Sequence, residues 1–564
     1  MSAVGSDPPS AATGSTGALV GTIDSGVLAI VDTVGAIGAI APVGERWTLD
    51  WWIGAEDRWH RLSTEVTTRQ RLIEASPVVE TAVRVPGGDV LARVGGVVAS
   101  VGVGSAPSVL LEVENVSAVP VALALVVRPE RVDGSGRVVS VRIIGSTLEI
   151  DGRVVLRFDR PIARAVIGRS VSDPGGSSVA ERLADGDDSV PPVAGEDRDG
   201  RIEAAAVVAL PHGVTVRALV GGMHGDSTDS WSAPGLSEVV AGWGTHVAGL
   251  ASVELGGTEW TTAYRSAGSA LLLAGTDMIA ECLQRRRRES EDSGAARAAM
   301  VSAAAYRCGA HDLLAPVARA LAGQQRIGGS CRLGDRSDGS VAMLWSAAGV
   351  LNGPAASAHV DELVAPIAVA VRRLRRGHGA DAGVGTSAAA GALRAVVPGL
   401  LAAGQPEVAA DAVSAAQDLV ADVGASGSTS GGPVVPVGSR SFDAVAMVRF
   451  LTWASALAAS DSPDGVDLLS EVSPEWLGIP IDVRGVWTAW GPVSWSLRWH
   501  GERPALLWEI EPAAGLGEDP VPSVRVPGLD PSWRGVGWSG EALLRPALVS
   551  VSDPDEDAGS GSFS

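Results

Sequence analysis

Tyr306–Ser330 reads YRCGAHDLLAPVARALAGQQRIGGS. A helix ends at Gly309, two residues intervene, Asp312 follows, and an Ala-rich helix then runs to Gln324 before a Gly-rich turn. Glycine tolerates the left-handed conformation that closes a helix, and an acid in the next first turn meets the positive end of the helix dipole. The pattern is therefore a helical hairpin. The same plan recurs in AAGQPEVAADAVSAAQDL, 402–419, where Gly404 is followed by Glu407 and the helix reaches Gln417. A second repeated pair is DGSVAMLWSAAGVLNG from Asp338 and DAVAMVRFLTWASALAAS from Asp443. Each opens on Asp, steps to VAM and continues as an apolar helix that contains a Trp. Helix pairs returning at roughly 45–50 residues predict hairpins stacked side by side, which curl into solenoids or closed α/α toroids.

Working outward, 3.6-residue periodicity predicts helices over 260–284, 292–308, 311–325, 339–352, 359–376, 386–403, 406–423 and 442–459, with a short one near 236–254. Upstream the texture is β. Short Val-rich runs such as PVVETAVRVP, SVLLEVENV and VPVALALVVRP alternate apolar and polar residues between Gly, Pro, Asp and Asn turns, which indicates a large β-sandwich. The polar stretch 171–200 reads as a loop within it. After about Asp461 the texture returns to β in IDVRGVWTAWG, VSWSLRWHG and RPALLWEIE. The expected fold class is thus multidomain, α and β. A flexible N-terminus spans 1–18, a β-sandwich 19–235, an α/α-hairpin toroid 236–460, a small C-terminal β-sandwich 461–550 and an acidic flexible tail 551–564.

The totals exclude several function classes. The 564 residues carry a net charge of -21, which repels phosphates, so neither nucleic acid nor an anionic membrane surface is an expected partner. Every basic residue is Arg, in keeping with an Ala-, Gly- and Val-biased composition. Cys282, Cys308 and Cys331 are widely spaced without a CxxC, which speaks against a disulfide framework or a zinc site. Met1–Gly44 has no basic residue, so the positive start of a secretory signal is missing. No stretch of about 20 residues is apolar enough to span a bilayer. A cytoplasmic protein without cofactor is expected. His224 with Asp226 would supply only two metal ligands, and RRRR at 285–288 is followed at once by ESED, a compensated helix end.

The hairpin YRCGAHDLLAPVARALAGQQRIGGS, the inner-helix opening SDGSVAMLWSAAGVL and the strand pair WGPVSWSLRWHGERPALLWE together resemble the six-hairpin, (α/α)6-toroid glycosidase superfamily of the glucoamylase, maltose-phosphorylase and rhamnosidase kind. The order of a large β-domain, a helical-hairpin domain and a small β-domain is similar too. One departure is plain: a full toroid has twelve helices, and eight or nine are legible here. The resemblance implies a glycoside-hydrolase-like protein acting on or binding an α-linked glucan or related oligosaccharide. The alternative is a catalytically inactive toroid that binds glycan or a protein partner. Oligomeric state is not legible.

Glycoside hydrolysis requires two carboxyl groups flanking the scissile bond. Asp338 and Asp443 open the two repeat copies, where the pocket of a toroid lies, although Asp before an apolar helix is also an N-cap. Asp335 shares that ambiguity. Glu238 in DSWSAPGLSEVVAGW and Glu259 in GGTEWTTAYR sit near Trp, whose apolar ring can raise a carboxyl pKa as a general acid requires, but both are also ordinary helix-start residues. Trp231, Trp243, Trp260 and Trp345 are candidate sugar-stacking residues, with core packing the competing reading. In VSWSLRWHG, Trp495, Leu497 and Trp499 share one strand face, and Arg498 and His500 point the other way, toward the helices or a ligand.

Overall fold

The computed structural model describes residues 17–23, 25–38, 47–129, 136–169, 178–221, 230–284, 294–326, 338–353, 359–378, 385–423, 444–517 and 519–546. From Gly17 to Ser232 the chain builds two antiparallel sheets. The first runs Gly17–Thr22, Gly26–Asp32, Ile37–Gly38, Trp47–Gly54, Val121–Pro129, Ile202–Leu210, Arg164–Arg169, with Trp59–Arg61 beside Trp47–Gly54. The second runs Val193–Glu196, Ser140–Ile144, Thr147–Ile150, Arg153–Phe158, Thr215–Val220, Gly104–Asn115, Gly88–Val101, Val79–Val85, Arg69–Leu72, with Trp231–Ser232 beside Gly88–Val101. Alternation packs them face to face. Trp47, Leu49, Trp51 and Ile53 share one core with Val109, Leu111 and Val113. Trp52 points outward beneath α1 (Val179–Ala184) and meets Val179 and Leu183. Trp47, Trp51 and Trp52 of the run WTLDWWIGAEDRW are therefore packed inside, Trp59 is half-buried, and Glu56, Asp57 and Arg58 between them are exposed. The indole N–H groups are satisfied internally: Trp52 donates to Asp50 at 2.9 Å and Trp59 to the Leu183 carbonyl at 3.1 Å.

The central helices are α2 (Leu236–Ala248), α3 (Thr258–Gln284), α4 (Gly294–Arg307), α5 (Leu314–Gln324), α6 (Asp338–Asn352), α7 (Val360–Arg373), α8 (Thr386–Ala395), α9 (Val397–Ala402), α10 (Pro406–Val423) and α11 (Ala444–Ala458). They fall close to the spans read from periodicity. Two spans differ: the helix expected near 236–254 ends at Ala248, with Ser252–Glu254 a strand instead, and 386–403 breaks at Val396, where Pro398 sits in the first turn of α9 and its missing N–H does no harm.

These helices form two layers. α11, α4, α6 and α8 pack in that order as an inner layer, and α3, α5, α7 and α10 back them. Patterning explains the assignment. Every residue of α6 from Asp338 to Leu351 is buried, because Gly339, Ser340, Ala342, Ala347, Ala348 and Gly349 let α4, α5, α7 and α8 approach on all sides. α7 buries only Leu363, Ile367, Ala370 and Val371, one stripe of an outer helix. Four inner and four outer helices are seen among the described residues, fewer than the twelve of a complete ring.

The remaining strands form a five-stranded antiparallel sheet (Ser252–Glu254, Ile481–Thr488, Gly491–His500, Arg503–Ile510, Ser539–Leu543) and a four-stranded mixed sheet (Ala459–Ser462, Gly465–Leu468, Ser523–Val526, Asp530–Val536) in which Gly465–Leu468 and Ser523–Val526 pair in parallel. Ser252–Glu254 lies between α2 and α3 in sequence yet pairs with Ile481–Thr488. Three residues carry too little pattern to be read as a strand. These sheets share one hydrophobic core with the helices and cap the C-terminal ends of the inner layer. The Tyr306 hydroxyl donates to the Thr488 carbonyl at 2.8 Å, and Trp495 Nε1 donates to the Ala458 carbonyl at 3.0 Å. The latter satisfies a helix-terminal carbonyl with no partner in its own helix. The opposite, N-terminal ends of the inner helices are thereby left for a site. No helix among the described residues is long and apolar enough to cross a membrane.

Candidate functional site

The inner helices line an open cavity of about 270 Å³. Ala296, Arg297, Met300 and Ala303 of α4, Val341 and Trp345 of α6, Ala388 of α8, and Val445, Arg449 and Thr452 of α11 all line it. The lining runs from the first turns of all four helices to Ala303 and Thr452, past the middle of α4 and α11, and the four N-termini lie toward one space. The positive ends of their dipoles point toward that space, with the buried Asp338 at the start of α6 among them. α11 and α8, the two ends of the inner layer, face each other across it.

The polar groups on its walls are donors. Arg297 is half-buried and Arg449 exposed, and neither has a hydrogen-bond or ion-pair partner among the described residues. Trp345 is 2% exposed, and its Nε1 has no partner either. Thr452 gives its hydroxyl proton to the Val448 carbonyl at 2.9 Å. Among the described residues, no carboxylate lines the cavity.

Behind it lies a buried polar cluster. The Arg307 guanidinium stands 5.4 Å over the Trp345 ring and donates to the Ala459 carbonyl at 3.0 Å. Tyr306 packs against Trp345 with ring centroids 5.3 Å apart and stacks on His311 at 5.7 Å. His311 also meets the Trp487 ring edge-on at 4.4 Å. Burial holds the His311 imidazole down at a pKa of about 4 and pushes the Tyr306 hydroxyl up. Asp461 accepts from the Ala489 N–H at 2.7 Å through one oxygen, and the other has no partner. Burial raises its carboxyl pKa above the ordinary value, against the lowering fields of Arg307 and Arg394. Burial likewise pushes the Cys308 thiol up to about 12.

Of the residues singled out in the sequence, Trp345 reaches the cavity. Tyr306 and Arg307 crowd its ring, so it presents little face for stacking. Asp338 is fully buried at the start of α6, one turn ahead of Val341. Asp443 and Asp335 lie outside the described residues, as do His224, Asp226 and the RRRR run. Glu238 and Glu259 are exposed in the first turns of α2 and α3, away from the cavity lining. Trp243 is core. Trp260 packs with Phe450, Trp453 and Trp476. Trp231 stands beneath Arg217 against the N-terminal sandwich and donates to the Phe158 carbonyl at 3.1 Å. Trp495 and Leu497 are buried and Trp499 is half-buried. Arg498 and His500 are exposed, and Arg498 forks onto Asp482 at 2.9 Å to both oxygens. None of the 17 Trp is exposed. Clustered Trp here marks cores. Among the described residues, no group of three or more His, Cys, Asp and Glu is arranged to hold a metal ion.

Arg297 and Arg449 were missed, although a signal for Arg449 was present. Aligning the two VAM repeats sets Val341 on Val445 and Trp345 on Arg449, and all four line the cavity. The repeat itself marks the positions that face the central space. Arg297, within GAARAAM, has no repeat copy to flag it.

No family model matches the chain, and no curated protein does. Among solved structures, a bacterial glucoamylase complexed with acarbose is similar with a TM-score of 0.41 and 11% identity, over 74% of this chain and 68% of that one.

Proposed function

We propose that this chain is a carbohydrate-binding protein that holds its sugar in the cavity where α4, α6, α8 and α11 begin. The observation that carries the reading is the lining: apolar walls of Ala, Val and Met, with Arg297, Arg449 and the Trp345 N–H as donors that lack partners among the described residues. Ligand sites are concave and mostly apolar, with a few convergent polar groups that fix orientation. A sugar ring fits that description, offering C–H faces to the walls and oxygens to the donors. The resemblance of the chain's layout to six-hairpin glycosidases points to α-linked glucans or related oligosaccharides as the first class to try.

A second reading is hydrolysis by two carboxyl groups, and Asp338 favours it: a buried acid one turn from a cavity wall. One acid does not make that chemistry, so binding is the better-supported function. The test is a glycan array on the full chain, followed by hydrolysis assays on each glycan retained. Binding without turnover supports the first reading. Turnover that is abolished by Asp338→Asn, in a protein that still folds and binds, supports the second. Retention of no glycan by the folded chain refutes both.

A further inference from the structure

We infer that the cavity is built for an anionic sugar, one that carries a carboxylate or another oxyanion. This rests on the carbohydrate reading above and narrows its ligand class.

The argument starts from charge. The chain has 65 acidic residues and 44 Arg, so an Arg has more carboxylates available than it can use. Arg93, Arg128, Arg142, Arg217 and Arg525 each meet a carboxylate within 3.0 Å, whereas the exposed Arg153, Arg265, Arg372 and Arg484 meet none among the described residues. Arg297 and Arg449 also meet none among the described residues, and what sets them apart is that both line one cavity. Guanidinium groups without a carboxylate in a concave site present donors in a fixed fork that matches an oxyanion.

The buried indole points the same way independently. A buried N–H without a partner is disfavoured by roughly 1–3 kcal/mol, and a ligand acceptor would remove that penalty. Trp345 is 2% exposed, lines the cavity and leaves Nε1 unpaired. Thr452 has its proton committed to Val448, and no carboxylate among the described residues lines the walls to accept from a ligand hydroxyl. A neutral glucan would bring, beside its acceptor oxygens, hydroxyl protons for which these side chains offer no carboxylate acceptor. An oxyanion brings acceptors alone. The four converging helix N-termini add to this field without being its main source. A volume of about 270 Å³ lies at the small end for ligand sites and suits one or two rings.

The experiment is calorimetric titration of the full chain with tetragalacturonate, a sulfated tetrasaccharide, maltotetraose, and inorganic phosphate and sulfate alone. The wild type is compared with Arg297→Gln and Arg449→Gln, with thermal unfolding as a folding control. Arg449 is exposed, so its variant folds even if the half-buried Arg297 proves less tolerant. The expected result is that an acidic tetrasaccharide binds at least tenfold more tightly than maltotetraose, that added salt erodes this preference, and that each Arg→Gln change reduces it about tenfold or more. The two acidic probes decide between carboxylate and sulfate. Maltotetraose bound as tightly as the acidic sugars, with no effect of either substitution, overturns the anion inference and leaves the carbohydrate reading standing. Arg-dependent binding of inorganic phosphate or sulfate, with no sugar bound, overturns the carbohydrate reading and with it the sugar part of the inference. No binding by any probe overturns both.

Discussion

Arg307→Met should destabilise the chain by ~3 kcal/mol at neutral pH, and Asp461→Asn should restore much of that loss. Arg307 is 7% exposed, donates to the Ala459 carbonyl at 3.0 Å and covers the Trp345 ring. Its field also opposes the burial that raises the Asp461 carboxyl. Methionine keeps the length and the apolar stem but removes the charge. Removing one partner from a buried charge arrangement costs about 3–5 kcal/mol, and the half-buried position of Asp461 argues for the lower figure. The pH dependence follows from the same coupling. A carboxyl whose folded pKa is raised favours the protonated fold, so its presence lowers stability as pH climbs from the ordinary carboxylate range through the raised value. Loss of Arg307 moves that value higher, so the deficit of the variant should be larger at about pH 7.5 than at about pH 4.5. Urea unfolding of wild type, both single variants and the double variant at the two pH values, followed by Trp fluorescence, measures this. Equal deficits at both pH values, unchanged by Asp461→Asn, would mean that Arg307 acts through packing alone and would refute the reasoning.

Three further outcomes are expected. His311 is held neutral by burial with a pKa of about 4, so the unfolded chain binds its proton first and stability should fall by about 3 kcal/mol as pH drops from about 6.5 to about 4. His311→Gln should flatten that part of the curve in urea titrations, and an unchanged curve would remove His311 as its cause. Gly349→Ala would drive a methyl group into Leu314 Cδ1, with His311 Cδ2 at 3.5 Å, and should destabilise the α5–α6 contact by about 1–3 kcal/mol, read as a lower midpoint in thermal unfolding. A neutral outcome would mean that those helices are not packed as described. Cys308, buried with its thiol pushed up to about 12, should resist a thiol reagent in the native protein and react fully in urea, tested with Cys282→Ser and Cys331→Ser present. Rapid labelling without denaturant would contradict its burial.

The helical layer was legible because its signals are local. Gly309 and Gly404 end helices, acids start the next ones, and period 3.6 runs between them. The alternation that fixes Trp47, Leu49 and Trp51 on one face was equally open to reading. The strand Ser252–Glu254 was not, because its pairing with Ile481–Thr488 crosses more than two hundred residues and its three residues hold no period. Tryptophan misled for a physical reason: a large ring with one donor serves a core as readily as a sugar, and the internal acceptors of Trp52, Trp59, Trp231 and Trp495 become visible only in three dimensions. The exposed acids Glu238 and Glu259 drew attention through neighbouring Trp in sequence, yet neither lines the cavity. The central space itself was half legible. The VAM repeat marks Val341, Trp345, Val445 and Arg449 as equivalent pairs, but convergence of four helices from distant hairpins is a tertiary fact.

Hydrogen exchange of the full chain, with and without saturating tetragalacturonate and maltotetraose in separate runs, tests the central claim most directly. If the first halves of α4, α6, α8 and α11 surround the ligand, protection should rise over 294–303 and 444–452 and stay unchanged over the Trp-rich strands 491–510. Protection confined to 491–510, or spread over the N-terminal sandwich with none in the inner helices, would contradict the cavity as the binding site.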